Sequence, residues 1–514
     1  MFYSILFRGQ QEYGQTRRTD EPDCFKDLNL DQVFAPILAS KKEFELEEFF
    51  YTPLRDVETI AYRQEVMREL EDDDLRALFA SFSRSIYRLD RNMAGIRASL
   101  TSGSSYDNNY LTRGRMLDYA ERYCNEISAL MTRLERKALH SEGLRAFAQY
   151  LRTYTASETF KELSAHVARL REGFSKVEYC MLIRGGTIRV RKYEGEDDYS
   201  KEILACFEKF RQGEVKDYSH RVMEEPAATH VEAAVLNMVA SLYKSTFTDL
   251  DNFCDKYLDF LDATITRFSR EVQFYLAWLE HIRPLRNLGL PFCYPMLCNN
   301  PDHIYVLDGF DLALAFLKRD KTVTNDLVLN APERIVVVTG PNQGGKTTFA
   351  RAFGQVHWLS SLGLCVPGRE AAVYLCDKIL THFAREEDVS TLNGRLQDDI
   401  LRLRDLLERA TSKSVIIINE IFSSTTLSDA LVLGGHMMDA ISALGAPTVV
   451  VTFLDELASY NPTTVSMVST VNENDPTERT YKILRKPADG LAYAIHLASK
   501  YGLTYMQLCR RLSK

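Results

Sequence analysis

Gly340, Pro341, Asn342, Gln343, Gly344, Gly345, Lys346 and Thr347 spell G-x-x-x-x-G-K-T directly after the apolar run Ile335 to Val338. Glycines let such a loop curl until its backbone N–H groups point inward, and a helix starting at its end adds the positive end of its dipole. That combination suits the phosphates of a nucleotide. In this arrangement Lys346 reaches the β and γ phosphates, while Thr347, followed by Thr348, offers a hydroxyl to Mg²⁺. The plain alternative is a glycine-rich turn with a stray lysine. Against it stand the β-branched lead-in, Arg334 to Thr339, and a helix-compatible stretch behind the loop, Thr347 to Gly354.

A second chemical element follows in Ser414 to Glu420, SVIIINE. Its aliphatic run reads as a buried parallel strand, and polar residues at the carboxyl end of such a strand sit where open α/β sheets bind ligands. Glu420 is placed to orient and partly deprotonate a water attacking the γ phosphate. Asn419 stands where nucleotide hydrolases carry an aspartate: an amide can accept hydrogen bonds beside Mg²⁺ but brings no negative charge. The alternative for Glu420 is a surface carboxylate that only ends a strand.

These strings carry a family resemblance. VTNDLVLNAPERIVVVTGPNQGGKTTFARA resembles the ATPase domain of MutS proteins, whose loop reads TGPNMGGKST behind an Asn-Asp pair, here Asn325 and Asp326. NEIFSSTTLSDA is similar to that family's DEIGRGTSTYDG and aligns Glu420, Thr425 and Asp429, while DVSTLNGRLQDDILRL resembles its signature helix through Ser390 and Thr391. The resemblance implies an α/β phosphate-loop domain of the ABC type that uses ATP and Mg²⁺. It also implies a homodimer in which Ser390 of one copy closes over the γ phosphate held by the other. One departure stands out: the family's T-H-Y is Thr452, Phe453, Leu454 here, and a phenyl ring cannot donate a hydrogen bond. With Asn419 also substituted, the expectation is a slow ATPase, the rival being a nucleotide-gated scaffold with negligible hydrolysis.

Around this site, 514 residues with 45% hydrophobic content can build more than one core. A net charge of −8 argues against a globally basic nucleic-acid coat and leaves room only for local basic patches. The ten cysteines show no C-x-x-C pair or zinc spacing and read as reduced thiols. No secretory leader and no run of eighteen apolar residues is found, so the expectation is a cytoplasmic protein without membrane contact.

Three regions are expected: a strap over 1–45, a mostly α-helical core and lever over 46–285, and the ATPase domain over 286–514. Apolar residues from Leu250 to Leu279 recur at helical spacing and predict one long helix from about Phe247 to His281, roughly 50 Å at ~1.5 Å per residue. A lever and an ordinary packed helix fit this periodicity equally, and the resemblance favours the lever. Within the helical region, VEYCMLIRGGTIRVRKY predicts a small β-hairpin turning at Gly185-Gly186. Its position corresponds to the DNA clamp of MutS proteins, which makes Arg184, Arg189, Arg191 and Lys192 candidate contacts to DNA phosphates. The alternative is solvated edge charge, partly cancelled by Glu194, Glu196, Asp197 and Asp198. The residues before the core leave no room for the family's mismatch-reading domain, nor those after Gly502 for an Smr domain, so DNA structure rather than a mispair is the expected target.

Overall fold

The computed structural model describes residues 2–9, 18–101, 109–196, 230–384, 394–472, 478–488, 501 and 503–512. Two compact units emerge, one of residues 1–2, 78–139 and 146–269, the other of residues 3–77, 140–145 and 270–514. Three of these limits, at 77/78, 145/146 and 269/270, fall inside helices, so single helices run from one unit into the other. Among the described residues no helix is long and apolar enough to cross a membrane.

The second unit begins with short helices, α1 (Cys24–Leu28), α2 (Leu30–Ser40), α3 (Glu47–Tyr51) and α4 (Val57–Glu69). Asn29, at φ 55°, turns the chain between the first two. Phe25, Phe34 and Phe50 are fully buried there, and the Phe25 ring meets Trp358 edge-on at 4.9 Å. This early segment is therefore part of the core that carries the phosphate loop.

The first unit is helical, built from α5 (Asp73–Thr101), α6 (Asn109–Leu134), α7 (Glu142–Ala156) and α8 (Glu158–Ser175). Phe79, Phe82, Ile86, Leu89, Met93 and Ile96 of α5 are all buried, at alternating three- and four-residue intervals that place them on one face. Strands β1 (Tyr179–Arg184) and β2 (Thr187–Lys192) pair antiparallel, with Ile183 opposite Ile188. Gly185 and Gly186, at φ 56° and 79°, supply the two left-handed residues that a two-residue hairpin turn of this twist requires. After α9 (His230–Leu242) comes a correction to the sequence reading. The single helix expected over Phe247 to His281 is two, α10 (Lys244–Lys256) and α11 (Ala263–Asn287). Asp262 accepts from the backbone N–H groups of Thr264 and Ile265 at 3.0 and 2.9 Å, a side-chain cap that starts the second helix. Tyr257 and Phe260 stay buried in the break, so the apolar stripe runs on where the helix does not.

The remainder of the second unit is α/β. Its strands are β3 (Phe292–Cys293), β4 (Met296–Cys298), β5 (His303–Gly309), β6 (Asn325–Asn330), β7 (Ile335–Thr339), β8 (Val366–Pro367), β9 (Glu370–Tyr374), β10 (Ile379–Phe383), β11 (Val415–Asn419), β12 (Thr448–Val451), β13 (Thr464–Val471) and β14 (Arg479–Arg485). Helices α12 (Leu312–Lys318), α13 (Lys346–Ser361), α14 (Arg395–Arg409), α15 (Leu427–Leu444) and α16 (Tyr505–Leu512) accompany them. The main sheet has the order β10-β11-β12-β7-β13-β14, parallel except for the last strand. Strands β7, β11 and β12 are buried along their whole length, which is why they read as unbroken aliphatic runs. Ile416, Ile418 and Val450 pack with Leu403 and Leu406 of α14 and with Met437 and Ile441 of α15. On the other face, Ile417 touches α13 at Gly354.

Candidate nucleotide site

The loop from β7 to α13 is shaped by left-handed residues, Gly340 at φ 112°, Gln343 at 61° and Gly345 at 91°. Strand β13 presses on it from beside: a Cβ on Gly340 would lie 2.8 Å from the Ser469 carbonyl, and one on Gly344 would collide with the Ser469 hydroxyl. That hydroxyl instead donates to the Gly344 carbonyl at 2.7 Å. Glycine at both positions is thus a packing requirement. Pro341 and Gly344 are buried, while Asn342 and Gln343 face solvent.

Lys346 opens α13 and is 5% exposed. Its ammonium donates to the carbonyls of Gly340 and Pro341 at 2.9 and 3.1 Å, and reaches the Asn342 side-chain oxygen at 3.4 Å. Burial pulls its pKa below the ordinary lysine value, and the Glu420 carboxylate works in the opposite direction. A cation held this way, with oxygen partners at the mouth of the loop, can exchange those carbonyls for phosphate oxygens.

Thr347, in the first turn of α13, meets Asn419 at the end of β11, although β12 lies between β11 and the strand β7 that leads into the loop, a separation of two strand spacings, about 10 Å. The Thr347 hydroxyl donates to the Asn419 side-chain oxygen at 2.8 Å. Two hard oxygen atoms so placed fit Mg²⁺ as ligands directly or through water, with the nucleotide's phosphates completing the shell. No cluster of three or more His, Cys, Asp or Glu residues suited to a metal occurs among the described residues. Glu420 follows at φ 54°, its N–H donating to Val451 O at 2.9 Å, and Phe422 also has positive φ. Strain of this kind in non-glycine residues is retained where surrounding structure holds a side chain in place for use.

The other residues of these motifs are placed as follows. Thr426 caps α15 by accepting from the Asp429 N–H at 3.2 Å, and Thr425 and Thr426 both donate to the Asp429 carboxylate. Thr348 lies in the first turn of α13, half-buried. Thr452 is buried and fixes the following turn by accepting from the Leu454 N–H at 3.1 Å. Phe453 is 47% exposed beyond the end of β12. Ser390 lies outside the described residues, as does its neighbour Thr391.

Three contributors, Arg479, Tyr481 and Ser469, carried no local signal. Arg479 Nε donates to Asn342 O at 3.3 Å, and Tyr481, at φ 58°, comes within 3.7 Å of where a Gly345 side chain would begin. Asn325 bridges to the same strand, donating to Tyr481 O at 3.1 Å and accepting from the Ile483 N–H at 2.8 Å. Together with Ser469 they bring β13 and β14 onto the loop from more than 120 positions away.

The hairpin candidates belong to the other unit and divide by face. Strand alternation puts Arg184, Arg189 and Arg191 on one side with Leu182, and Lys192 on the other with Met181, Ile183, Ile188 and Val190. Arg191 pairs with Glu196 at 2.5 Å, and the Lys192 ammonium sits 5.1 Å from the centre of the Tyr243 ring.

A glycine-rich loop between a buried strand and a helix, with Thr347 bonded to a residue two strands away, defines a phosphate-loop nucleotide-binding domain. The class narrows on comparison, because residues 336–508 match the family model for MutS domain V. A DNA mismatch repair protein MutS of Thermosipho melanesiensis is 22% identical over 499 residues, covering 89% of this chain and 58% of that protein. The MutS of Lactobacillus delbrueckii subsp. bulgaricus is 24% identical over 347 residues, 66% of this chain and 38% of its own length. That of Brevibacillus brevis is 28% identical over 212 residues, 40% and 25% respectively. The chain is MutS-like, and it spans between 25% and 58% of the length of these relatives.

Proposed function

We propose that this chain binds ATP with Mg²⁺ at the Gly340 to Thr347 loop, hydrolyses it slowly, dimerises through composite nucleotide sites and binds DNA. The observation that carries the reading is the 2.8 Å Thr347 to Asn419 bond beside Lys346, whose charge the Glu420 carboxylate favours; it supports a cation, a metal-ligand pair and a base acting together. In the reaction Lys346 would hold the β and γ oxygens, and Thr347 and Asn419 would hold the hydrated Mg²⁺, which would supply positive charge against the phosphates. Glu420 positions the attacking water and takes its proton. Slowness follows from two neutral substitutions, Asn419 for a carboxylate and Phe453 for a hydrogen-bond donor. DNA binding is supported by the hairpin's basic face and by the names of the relatives. Dimerisation rests on the family resemblance at Ser390.

The second reading, a nucleotide-gated scaffold that scarcely turns ATP over, is favoured by Asn419 and Phe453. Steady-state phosphate release with and without duplex DNA separates the two. Slow release that stops in Glu420→Gln supports hydrolysis, whereas tight ATP binding with no release above background favours the scaffold.

A further inference from the structure

Helix α5 carries Arg84, Arg88 and Arg91 at i, i+4 and i+7. At 100° per residue the three fall within a 60° sector, opposite the buried Phe79, Phe82, Ile86 and Met93 stripe. All three are exposed. Among the described residues none has an acidic partner; Arg84 Nε donates only to Ala80 O of its own helix. The helix's one nearby carboxylate, Asp90, points to another sector, where it lies 3.9 Å from Arg97. Such a stripe is unusual on a chain whose net charge is −8. Exposed helix arginines are ordinarily stabilised by an acid at i, i+4, and here that arrangement is absent.

The neighbours on the same sector are small. Ala77 and Ser81 precede the stripe and Gly95 follows it, each exposed, and nothing lies within 4 Å of where a Gly95 side chain would begin. A long rigid polyanion can therefore lie flat along the helix. From Arg84 to Arg91 the helix rises about 10 Å, and one DNA strand carries a phosphate per ~3.4 Å of axis, so each guanidinium has a phosphate within reach.

We propose that Arg84, Arg88 and Arg91 form a second nucleic-acid contact, separate from the hairpin, which grips the backbone of duplex DNA without reading its bases. Arginine is suited to this because its planar fork meets phosphate oxygens bidentately. The proposal rests on the reading that the chain binds DNA, and adds a surface to it.

The test is the affinity for a 30-base-pair duplex, read by fluorescence anisotropy across about 50 to 200 mM salt, for the full chain and two triple variants. Arg84→Gln/Arg88→Gln/Arg91→Gln keeps helix propensity and removes the charge, and should flatten the slope of log K against log salt by about 2 to 3 units, at ~0.9 per phosphate. The matching Arg→Lys triple should retain the parental slope. A glutamine triple with unchanged slope, while Arg184→Gln/Arg189→Gln lowers it, overturns the stripe and leaves the hairpin standing. No duplex binding by the parent at low salt overturns both. Polyglutamate binding that needs the three arginines, without duplex binding, would replace nucleic acid by an acidic protein partner and also overturn the proposal.

Discussion

Around the phosphate loop, single atoms decide the chemistry. The Asn419 oxygen already accepts from Thr347, so Asn419→Asp keeps shape and hydrogen bond and adds only charge. A carboxylate attracts hydrated Mg²⁺ where an amide does not, and the substitution should lower the Mg²⁺ concentration for half-maximal activity several-fold. A titration showing weaker Mg²⁺ use would mean that the local field is set for the amide. Glu420→Gln should preserve ATP binding and reduce turnover by about 10²-fold, the usual worth of a positioned base; equal turnover would point to another residue. Lys346→Ala should abolish binding, since the buried ammonium is the cation that the loop holds among its carbonyls. These residues were legible because each belongs to a short contiguous string whose spacing reflects one loop or strand tip. Arg479, Tyr481 and Ser469 were not, because they reach the loop through sheet order, which leaves no local trace in the sequence.

Among the elements, α13 joins the site to the early part of the chain. Arg351 donates to Asp27 O at 2.9 Å, and Gln355, fully buried, donates to Leu28 O and to Asp311 while accepting from the Leu312 N–H. Gly354 provides the gap into which Leu28 and Ile417 fit; a Cβ there would lie 2.6 Å from a methyl of each. Gly354→Ala should therefore destabilise by roughly 1–3 kcal/mol through overpacking despite alanine's better helix propensity, and a rise in melting temperature would sink this account. One turn on, His357 is buried and its pKa pushed down to about 4, so the native state holds it neutral. As pH falls below the unfolded value of ~6.5 the unfolded chain takes up a proton that the folded chain refuses, and stability is lost until pH passes the folded value. Relative to His357→Gln, the parent should lose about 3 kcal/mol between pH 6.5 and 4 in urea titrations; parallel profiles would contradict the assignment. Periodicity disclosed which helix faces are buried but not where helices end. The stripe from Leu250 to Leu279 was legible, yet the break was not, because Tyr257 and Phe260 keep the stripe apolar through it while Asp262 restarts the helix.

For the whole molecule the governing quantity is charge. A chain of net −8 approaches a polyanion only through patches that overcome its own field, and the hairpin face with Arg184, Arg189 and Arg191 is one such patch. Its members are not equivalent. Arg191 is engaged by Glu196 and Lys192 lies over the Tyr243 ring, whereas Arg184 and Arg189 have no described acidic partner. Removing an unpaired cation costs its full phosphate contact, while removing a paired one also frees a carboxylate. On duplex DNA, Arg184→Gln/Arg189→Gln should flatten the salt slope by about 2 units, at ~0.9 per phosphate, with affinity falling about equally across sequences. Lys192→Gln alone should change the slope by less than one unit, and a larger effect than the arginine pair would reverse the ranking. Because arginine contacts to phosphate carry no sequence information, a duplex with one mismatch should bind within a factor of ten of its matched control. A preference beyond tenfold would require base contacts or a stacking wedge and would overturn the assignment of binding to the hairpin's basic face.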